Sequence, residues 1–316
     1  MKCIVTGAAG FIGSHLVDEL IKRDYSVIGI DDLSLGNLKN LAHLINPKHP
    51  RFTFIQQDIT KLSYVENEYL KESDVIFHFA ANSDISKSHK NPRIDFDRTF
   101  KTTYDMLCVA DIYKIKQFVF ASTSAIYGDT GSLQVQENHG PLMPVSHYGA
   151  AKLASESFIS SFVHNYDIRA WIIRFPNVVG SRMTHGALYD FIERLKKDST
   201  QLEVLGNGTQ HKPYIHVKDL IDAIMYSWIS SSRRVNVYNV APMDNSTTTI
   251  KNMAEWCAAE FNCNTIRYGT EDIGWVGDLN TFKYNTDKLH KLGFDLDLSS
   301  DNAVKKAIKE LMNANN

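Results

Sequence analysis

Short apolar runs bounded by turn-forming residues punctuate the chain: KCIVT at 2–6, SVIGI at 26–30, FTFIQ at 52–56, DVIFHFA at 74–80, QFVFAS at 117–122 and AWIIRF at 170–175. They lack the apolar–polar alternation of a half-exposed strand and so predict parallel strands covered on both faces. Between them the spacing becomes helical. Over 11–23, Ile12, Leu16, Val17, Leu20 and Ile21 share one face, and a second helix is predicted over 148–166. Strand alternating with helix predicts an α/β fold with a Rossmann-type doubly wound parallel sheet. Beyond residue 176 the regularity weakens into loops, short helices and isolated strands such as LEVLG at 202–206, which predicts a smaller mixed α/β lobe. VNVYNVA at 235–241 reads as a strand returning to the main sheet. The expected division is 1–175, joined by 211–245, for the first domain, and 176–210 with 246–316 for the lobe.

A length of 316 residues suits one large α/β unit with a smaller attached lobe. Hydrophobic residues at 43% and charged ones at 22%, without low-complexity tracts, belong to an ordinary globular protein. The net charge is -2 and Lys and Arg are scattered, so nucleic acid is not an expected partner. Cys3, Cys108, Cys257 and Cys263 form no CxxC pair, and Cys3 and Cys108 lie in apolar runs. Buried reduced thiols are expected and no metal site. A core strand starting at the first residues leaves no room for a cleavable leader, and no apolar run approaches membrane-spanning length. A cytoplasmic protein without a membrane partner is the expectation.

The segment Gly7-Ala8-Ala9-Gly10-Phe11-Ile12-Gly13 follows the first strand and opens the first helix. Its glycines permit a tight turn, and the helix start presents N–H groups to a pyrophosphate. Asp31 closes the second strand, where a carboxylate accepts hydrogen bonds from ribose hydroxyls and repels a 2′-phosphate, so NAD is expected over NADP. Asp32 either shares that role or caps the next turn. Farther on, Tyr148 and Lys152 lie four residues apart at the start of a helix, about 6 Å apart on one face. A phenol with a pKa of about 10 is a poor base at neutral pH, but a neighbouring ammonium stabilises the phenolate.

In this order, over nearly the whole chain, these motifs resemble the extended short-chain dehydrogenase/reductase family, and within it the NAD-dependent epimerases and dehydratases of UDP-sugar 4-epimerase type. Asp58-Ile59 matches the family's adenine-contacting pair, and His78-Phe79-Ala80-Ala81 its HxAA segment, with His78 structural. The resemblance implies a cofactor site of Gly7, Gly10, Phe11, Ile12, Gly13, Asp31, Asp32, Asp58, Ile59, Ala80 and Ala81, completed by Tyr148 and Lys152. FAS-Thr123-SAIYG aligns with SSSxxYG, which puts Thr123 on the reacting sugar hydroxyl and Ser124 beside it. The alternative is that these hydroxyls, Ser122 above all, satisfy backbone groups at the strand end. Arg174 to Gly180 is similar to RxxNVxG, whose Asn binds the nucleotide-sugar diphosphate, a role that passes to Asn177. GNGTQHKPYIHVKD at 206–219 is similar to GxGxQxRDYIHVxD, with Lys212 in place of Arg and Pro213 in place of Asp. A point charge there replaces a bidentate fork. Thr99 stands where an Asn is usual, and Gly274-Trp275-Val276-Gly277-Asp278 lacks the usual Arg; Trp275 either packs against a ring in the site or belongs to the core.

The resemblance further implies a cycle with Thr123, Tyr148 and Lys152 as catalytic residues. Tyr148 removes the sugar 4-hydroxyl proton while a hydride passes from C4 to NAD, and the same hydride returns to the opposite face of a 4-keto intermediate. This is a nucleotide-sugar 4-epimerase with tightly held NAD, acting on a UDP-hexose or UDP-hexuronate. A 4,6-dehydratase carries an Asp-Glu pair after the catalytic Thr, where this chain has Ser124-Ala125. A 4-reductase with net nicotinamide turnover stays open, and a non-catalytic dinucleotide-binding regulator has no use for Thr123, Tyr148 and Lys152. Facing the sugar, Arg182 suits a C6 carboxylate; facing solvent or phosphate, it suits a neutral hexose. By resemblance, a homodimer forms through helices at 94–113 and 148–166.

Overall fold

The apolar runs become the seven strands of one sheet: β1 (Lys2–Thr6), β2 (Ser26–Asp31), β3 (Phe52–Gln56), β4 (Val75–His78), β5 (Gln117–Thr123), β6 (Arg169–Phe175) and β7 (Val235–Asn239). The order is β7-β6-β5-β4-β1-β2-β3 in a parallel, Rossmann-type arrangement. The computed structural model describes residues 1–61, 68–83, 88, 91–242, 246–271 and 282–313. Ile4 of β1 lies in register between Ile28 and Ile76, and Cys3, Ile4, Val5, Ile76, Phe77, Phe118 and Phe120 are fully buried. Central strands covered on both faces have no solvent side to mark with polar residues, which is why the sequence does not alternate. From β1 the chain winds outward to β2 and β3, then crosses back to β4. The carboxyl ends of β1 and β4 are therefore the switch point where ligands bind in such sheets.

Helix α1 (Phe11–Lys22) buries Gly13, Ser14, Leu16, Val17, Leu20 and Ile21. The helix expected over 94–113 is not one regular α-helix. A short turn, Arg93–Asp95, leads into a π-helical turn, Phe96–Phe100, before α2 (Lys101–Ile112) begins. The wider turn shifts the phase of the side chains ahead of it relative to α2. Helix α3 (His147–Asn165) starts where Ser146 Oγ accepts the Gly149 N–H at 3.0 Å.

Contacts divide the chain into a first unit, residues 1–128, 140–174 and 224–238, and a second, 129–139, 175–223 and 239–316. Residues 129–139, 211–223 and 239–242, expected with the first domain, lie in the second unit; for 211–223 the reason is that Tyr214–His216 pairs in parallel with Asn177–Val179. LEVLG is not isolated either: Gln201–Val204 pairs in parallel with Thr265–Tyr268. The helix Ser300–Asn313 packs on the strand Tyr214–His216, with the Tyr214 N–H donating to Ser300 Oγ at 2.9 Å.

The four cysteines are free thiols, and burial pushes those of Cys3 and Cys257 up to about 12. Among the described residues no helix is long and apolar enough to cross a membrane. None of their His, Cys, Asp and Glu side chains cluster in threes that could hold a metal ion.

Candidate active site

At the end of β1, Gly7 takes φ +69°, and a Cβ there would lie 2.9 Å from the backbone of Phe79 and Ala80. A Cβ on Gly13 would stand 2.0 Å from the Gly7 carbonyl oxygen, closer than any repacking relieves. The sequence thus spends glycine where β1, β4 and α1 converge. Gly10 precedes α1 without a side-chain cap, so the N–H groups of the first turn, at Phe11, Ile12 and Gly13, are left for an outside acceptor. This donor-lined cradle fits a dinucleotide pyrophosphate.

Asp31 is buried, and burial raises its carboxyl above the usual range against the pull of backbone N–H donors. Its Oδ2 accepts from Ala9 N–H at 2.9 Å and Oδ1 from Leu33 N–H at 2.8 Å. A Cβ on Gly36 would sit 2.6 Å from Oδ1. Asp31 therefore ties the Gly-rich loop to the end of β2 and keeps lone pairs for further donors such as ribose hydroxyls. Asp32 caps the following turn, accepting from Ser34 N–H at 2.9 Å, with Arg98 3.8 Å away. Asp58 likewise accepts from the N–H and hydroxyl of Thr60, at 2.9 and 2.8 Å, while Ile59 is buried.

The structure brings Thr123, Tyr148 and Lys152 together. Thr123 ends β5, and its hydroxyl hydrogen-bonds the Tyr148 phenol while accepting the Ala125 N–H at 3.2 Å. Lys152, 2% exposed, donates from Nζ to the Ala121 carbonyl at 2.6 Å and lies 5.9 Å from the Tyr148 ring centroid. Burial pulls Lys152 down to about 7, opposed by the charges of Glu156 and Asp95. Burial and then Asp95 raise the Tyr148 phenol above its ordinary value, and the hydrogen bond from Thr123 works the other way. A phenol so placed resists ionisation, and a neighbouring ammonium is the kind of group that favours the phenolate.

Ser122 does not serve the backbone: its hydroxyl donates to Glu156 Oε1 at 2.5 Å. Glu156 is also gripped by Arg174, Nε to Oε1 at 3.0 Å and Nη2 to Oε2 at 2.6 Å, and Arg174 Nη1 reaches the Tyr127 hydroxyl at 2.9 Å. This buried clamp joins β5, α3 and β6 beside Thr123. Sequence reasoning missed Glu156, although it lies one helical turn beyond Lys152 on the same face. It also missed Asp95, for which no local signal exists. His78 is fully buried between the hydroxyls of Thr6 (2.8 Å) and Thr103 (3.1 Å), and burial, helped by the Lys152 charge, pushes it down to about 3. Such a neutral ring is structural.

In the second unit, Asn177 is exposed and pairs with Tyr214, whereas Lys212, two residues earlier, lies on a separate strand, His211–Lys212, that pairs antiparallel with Thr248–Thr249. Arg182 is half-buried with a left-handed φ of +68°, a costly conformation for a residue with a side chain. The loop before it is anchored by Glu310 Oε2, which accepts the Ser181 N–H at 3.0 Å and lies 3.1 Å from His216 Nε2. Thr99 is fully buried and its hydroxyl accepts the Asn82 N–H at 3.1 Å. The 274–278 segment and Trp275 lie outside the described residues.

Residues 3–241 match the model of the NAD dependent epimerase/dehydratase family. A Methanocaldococcus jannaschii protein, provisionally described as a UDP-glucose 4-epimerase, is 34% identical over 239 residues, covering 74% of this chain and 75% of that one. A crystal structure of UDP-galactose 4-epimerase superposes with a TM-score of 0.86 at 32% identity, covering 99% of both chains. The dTDP-D-glucose 4,6-dehydratase of Mus musculus is 25% identical over 325 residues, covering 98% of this chain and 88% of that enzyme.

Proposed function

The chain belongs to the NAD-dependent epimerase/dehydratase family, and on that premise we propose that it is a nucleotide-sugar 4-epimerase. Its substrate is a UDP-hexose or UDP-hexuronate, converted through a transient 4-keto sugar while NAD stays tightly held. The observation that carries this reading is the constellation of buried Lys152 with half-buried Tyr148 and Thr123. NAD, when bound, supplies the acceptor and later the donor of the hydride. Gly7, Gly10, Phe11, Ile12 and Gly13 hold its pyrophosphate, Asp31 its ribose, Asp58 and Ile59 its adenine, and Ala80 and Ala81 line the approach. Asp32 stays with the turn it caps.

Tyr148 takes the proton of the C4 hydroxyl and returns it once the sugar has turned. Thr123 fixes the oxygen at C4, with Ser124 beside it, and Lys152 stabilises the phenolate. Asn177 and Lys212 bind the diphosphate, and Arg182 selects at the sugar. The likeness to a dehydratase makes 4,6-dehydration the second reading, but no acid side chain follows Thr123 to eliminate water. Four unpaired thiols accord with cytoplasmic residence.

The test incubates purified protein, without added reductant, with UDP-glucose, UDP-N-acetylglucosamine or UDP-glucuronate, and resolves products by chromatography and proton NMR. A 4-epimer of one sugar is expected. A 4-keto-6-deoxy sugar would transfer the assignment to the dehydratases, and epimerisation of UDP-glucuronate alone would place a carboxylate against Arg182.

The proposal extends to a homodimer. Phe96, Tyr104 and Phe158, on the π-helical turn, α2 and α3, and Tyr166, just past the end of α3, are between 40% and 49% exposed. They belong to one aromatic ladder, with Phe158 edge-on to both Phe100 and Tyr104 at 5.2 and 5.6 Å. Such a face is costly to leave wet. Phe158→Asp is expected to halve the mass seen by light scattering after size exclusion; a monomeric wild type would remove the dimer from the proposal.

A further inference from the structure

We propose that Asp95 is a positioning residue whose sealed carboxylate is the counter-charge of the Tyr148–Lys152 pair and sets the pH range in which that pair works. The inference rests on the proposed roles of Tyr148 and Lys152. Asp95 ends the turn ahead of the π-helical segment, on elements packed against α3, and is 1% exposed. Its Oδ1 accepts from Asn82 Nδ2 at 2.9 Å. Its Oδ2 is cut off from solvent and has no hydrogen-bond partner among the described residues. A buried carboxylate left half-satisfied is expensive and calls for an explanation.

Charge accounting supplies one. Among the described residues the buried charged side chains of these elements are Lys152, Glu156, Arg174, Asp95 and, paired with Lys101, Asp105. Glu156 is held by both arms of Arg174, so that pair is internally compensated. Of the two carboxylates acting on Lys152, Asp95 is the one without an arginine partner here, and its charge acts on both Lys152 and Tyr148, whereas that of Glu156 acts on Lys152 and not on Tyr148. Several other titratable groups on the packed elements are neutral or already have partners. His78 on β4 is neutral near pH 7, and Tyr127 is bound to Arg174. Arg93 pairs with Asp97 at 2.9 Å, Lys101 with Asp105 at 2.6 Å, and Arg98 lies toward Asp32.

A negative charge at this place holds the ammonium of Lys152 to higher pH and delays the phenolate of Tyr148 to higher pH. Both limbs of a bell-shaped profile therefore sit higher than they would without it. Asp95→Asn keeps the size and the acceptor for Asn82 but removes the charge. Both limbs are expected to move toward acid by about one pH unit, the size of a tenfold change in protonation. Asp95→Glu, which restores the charge, should return them. Glu156→Gln should move the Lys152 limb alone.

The experiment uses NAD-loaded protein and two readouts. Turnover against pH gives the limbs, and the ¹³Cε signal of Lys152 in lysine-labelled protein, assigned by its loss in Lys152→Met, gives the ammonium midpoint without substrate. Should Asn at 95 impair folding, Asp95→Ser removes the same charge. A lower Lys152 midpoint with both limbs shifted supports the proposal. Unmoved limbs with reduced amplitude, or an unmoved Lys152 midpoint, overturn it and leave Asp95 a packing residue. If no nucleotide sugar is turned over, the functional reading fails while the Lys152 midpoint still decides on Asp95.

Discussion

Tyr148→Phe is expected to lower turnover about 10³-fold while leaving the fold and the bound NAD in place, since a positioned acid–base group contributes on the order of 10²–10⁴. The substitution deletes one oxygen. The ring stays where α3 holds it, Lys152 keeps its bond to the Ala121 carbonyl, and Thr123 keeps the Ala125 N–H. What disappears is the atom that takes the proton and the hydrogen bond with Thr123. Loss of one such bond costs about 1 kcal/mol, so the melting temperature should fall by only a few degrees. The measurement compares initial rates of sugar conversion by NMR, the melting curve and the NAD content of the variant. Full turnover by Tyr148→Phe would remove the catalytic assignment; a collapse of melting temperature would make the variant uninformative about chemistry and turn attention to Thr123→Val.

Arg174→Met is expected to have the largest effect on stability, a loss of about 3–5 kcal/mol from a buried pair broken on one side. Arg174 is 5% and Glu156 6% exposed, and among the described residues the hydrogen bond left to Glu156 without the guanidinium is that from the Ser122 hydroxyl. Burial opposes the charge on Arg174, and the two bonds to Glu156 outweigh that cost, holding the guanidinium firmly protonated. The double variant Glu156→Met, Arg174→Met should recover much of the loss, because apolar replacement of both partners removes the stranded charge. Chemical denaturation of the wild type, both singles and the double measures the coupling. If the double variant is as unstable as the sum of the singles, the clamp is not a coupled ion pair. Turnover should fall with the single variants as well, since Ser122 links Glu156 to the strand end that presents Thr123.

Several parts of the molecule were legible before any tertiary structure. The seven strands, α1 and α3 lie within a residue or two of their predicted spans, because burial on both faces or on one helical face writes itself into neighbouring residues. Gly7, Gly10 and Gly13 announced a close approach of backbones, and the steric geometry at Gly7 and Gly13 has the same cause. The pairing of Tyr148 with Lys152 follows from four residues of helix. Other parts were not legible. The π-helical turn at Phe96–Phe100 interrupts a segment whose composition suits a helix of either width. The boundary at 211–223 depends on a strand partner more than 30 residues upstream in the chain.

By itself, then, the sequence determined the alternating α/β architecture, the glycine cradle and the spacing of the Tyr–Lys pair, since each is set by backbone geometry over a few adjacent residues. Tertiary structure alone decided that Ser122, Glu156, Arg174 and Tyr127 form one clamp, that Asp31 is spent partly on the loop it follows, and that Asp95 is enclosed with one oxygen unpaired among the described residues. These contacts join residues from different strands and helices, and the free energy of a buried charge depends on what surrounds it in space. Neighbours along the chain carry no record of that surrounding.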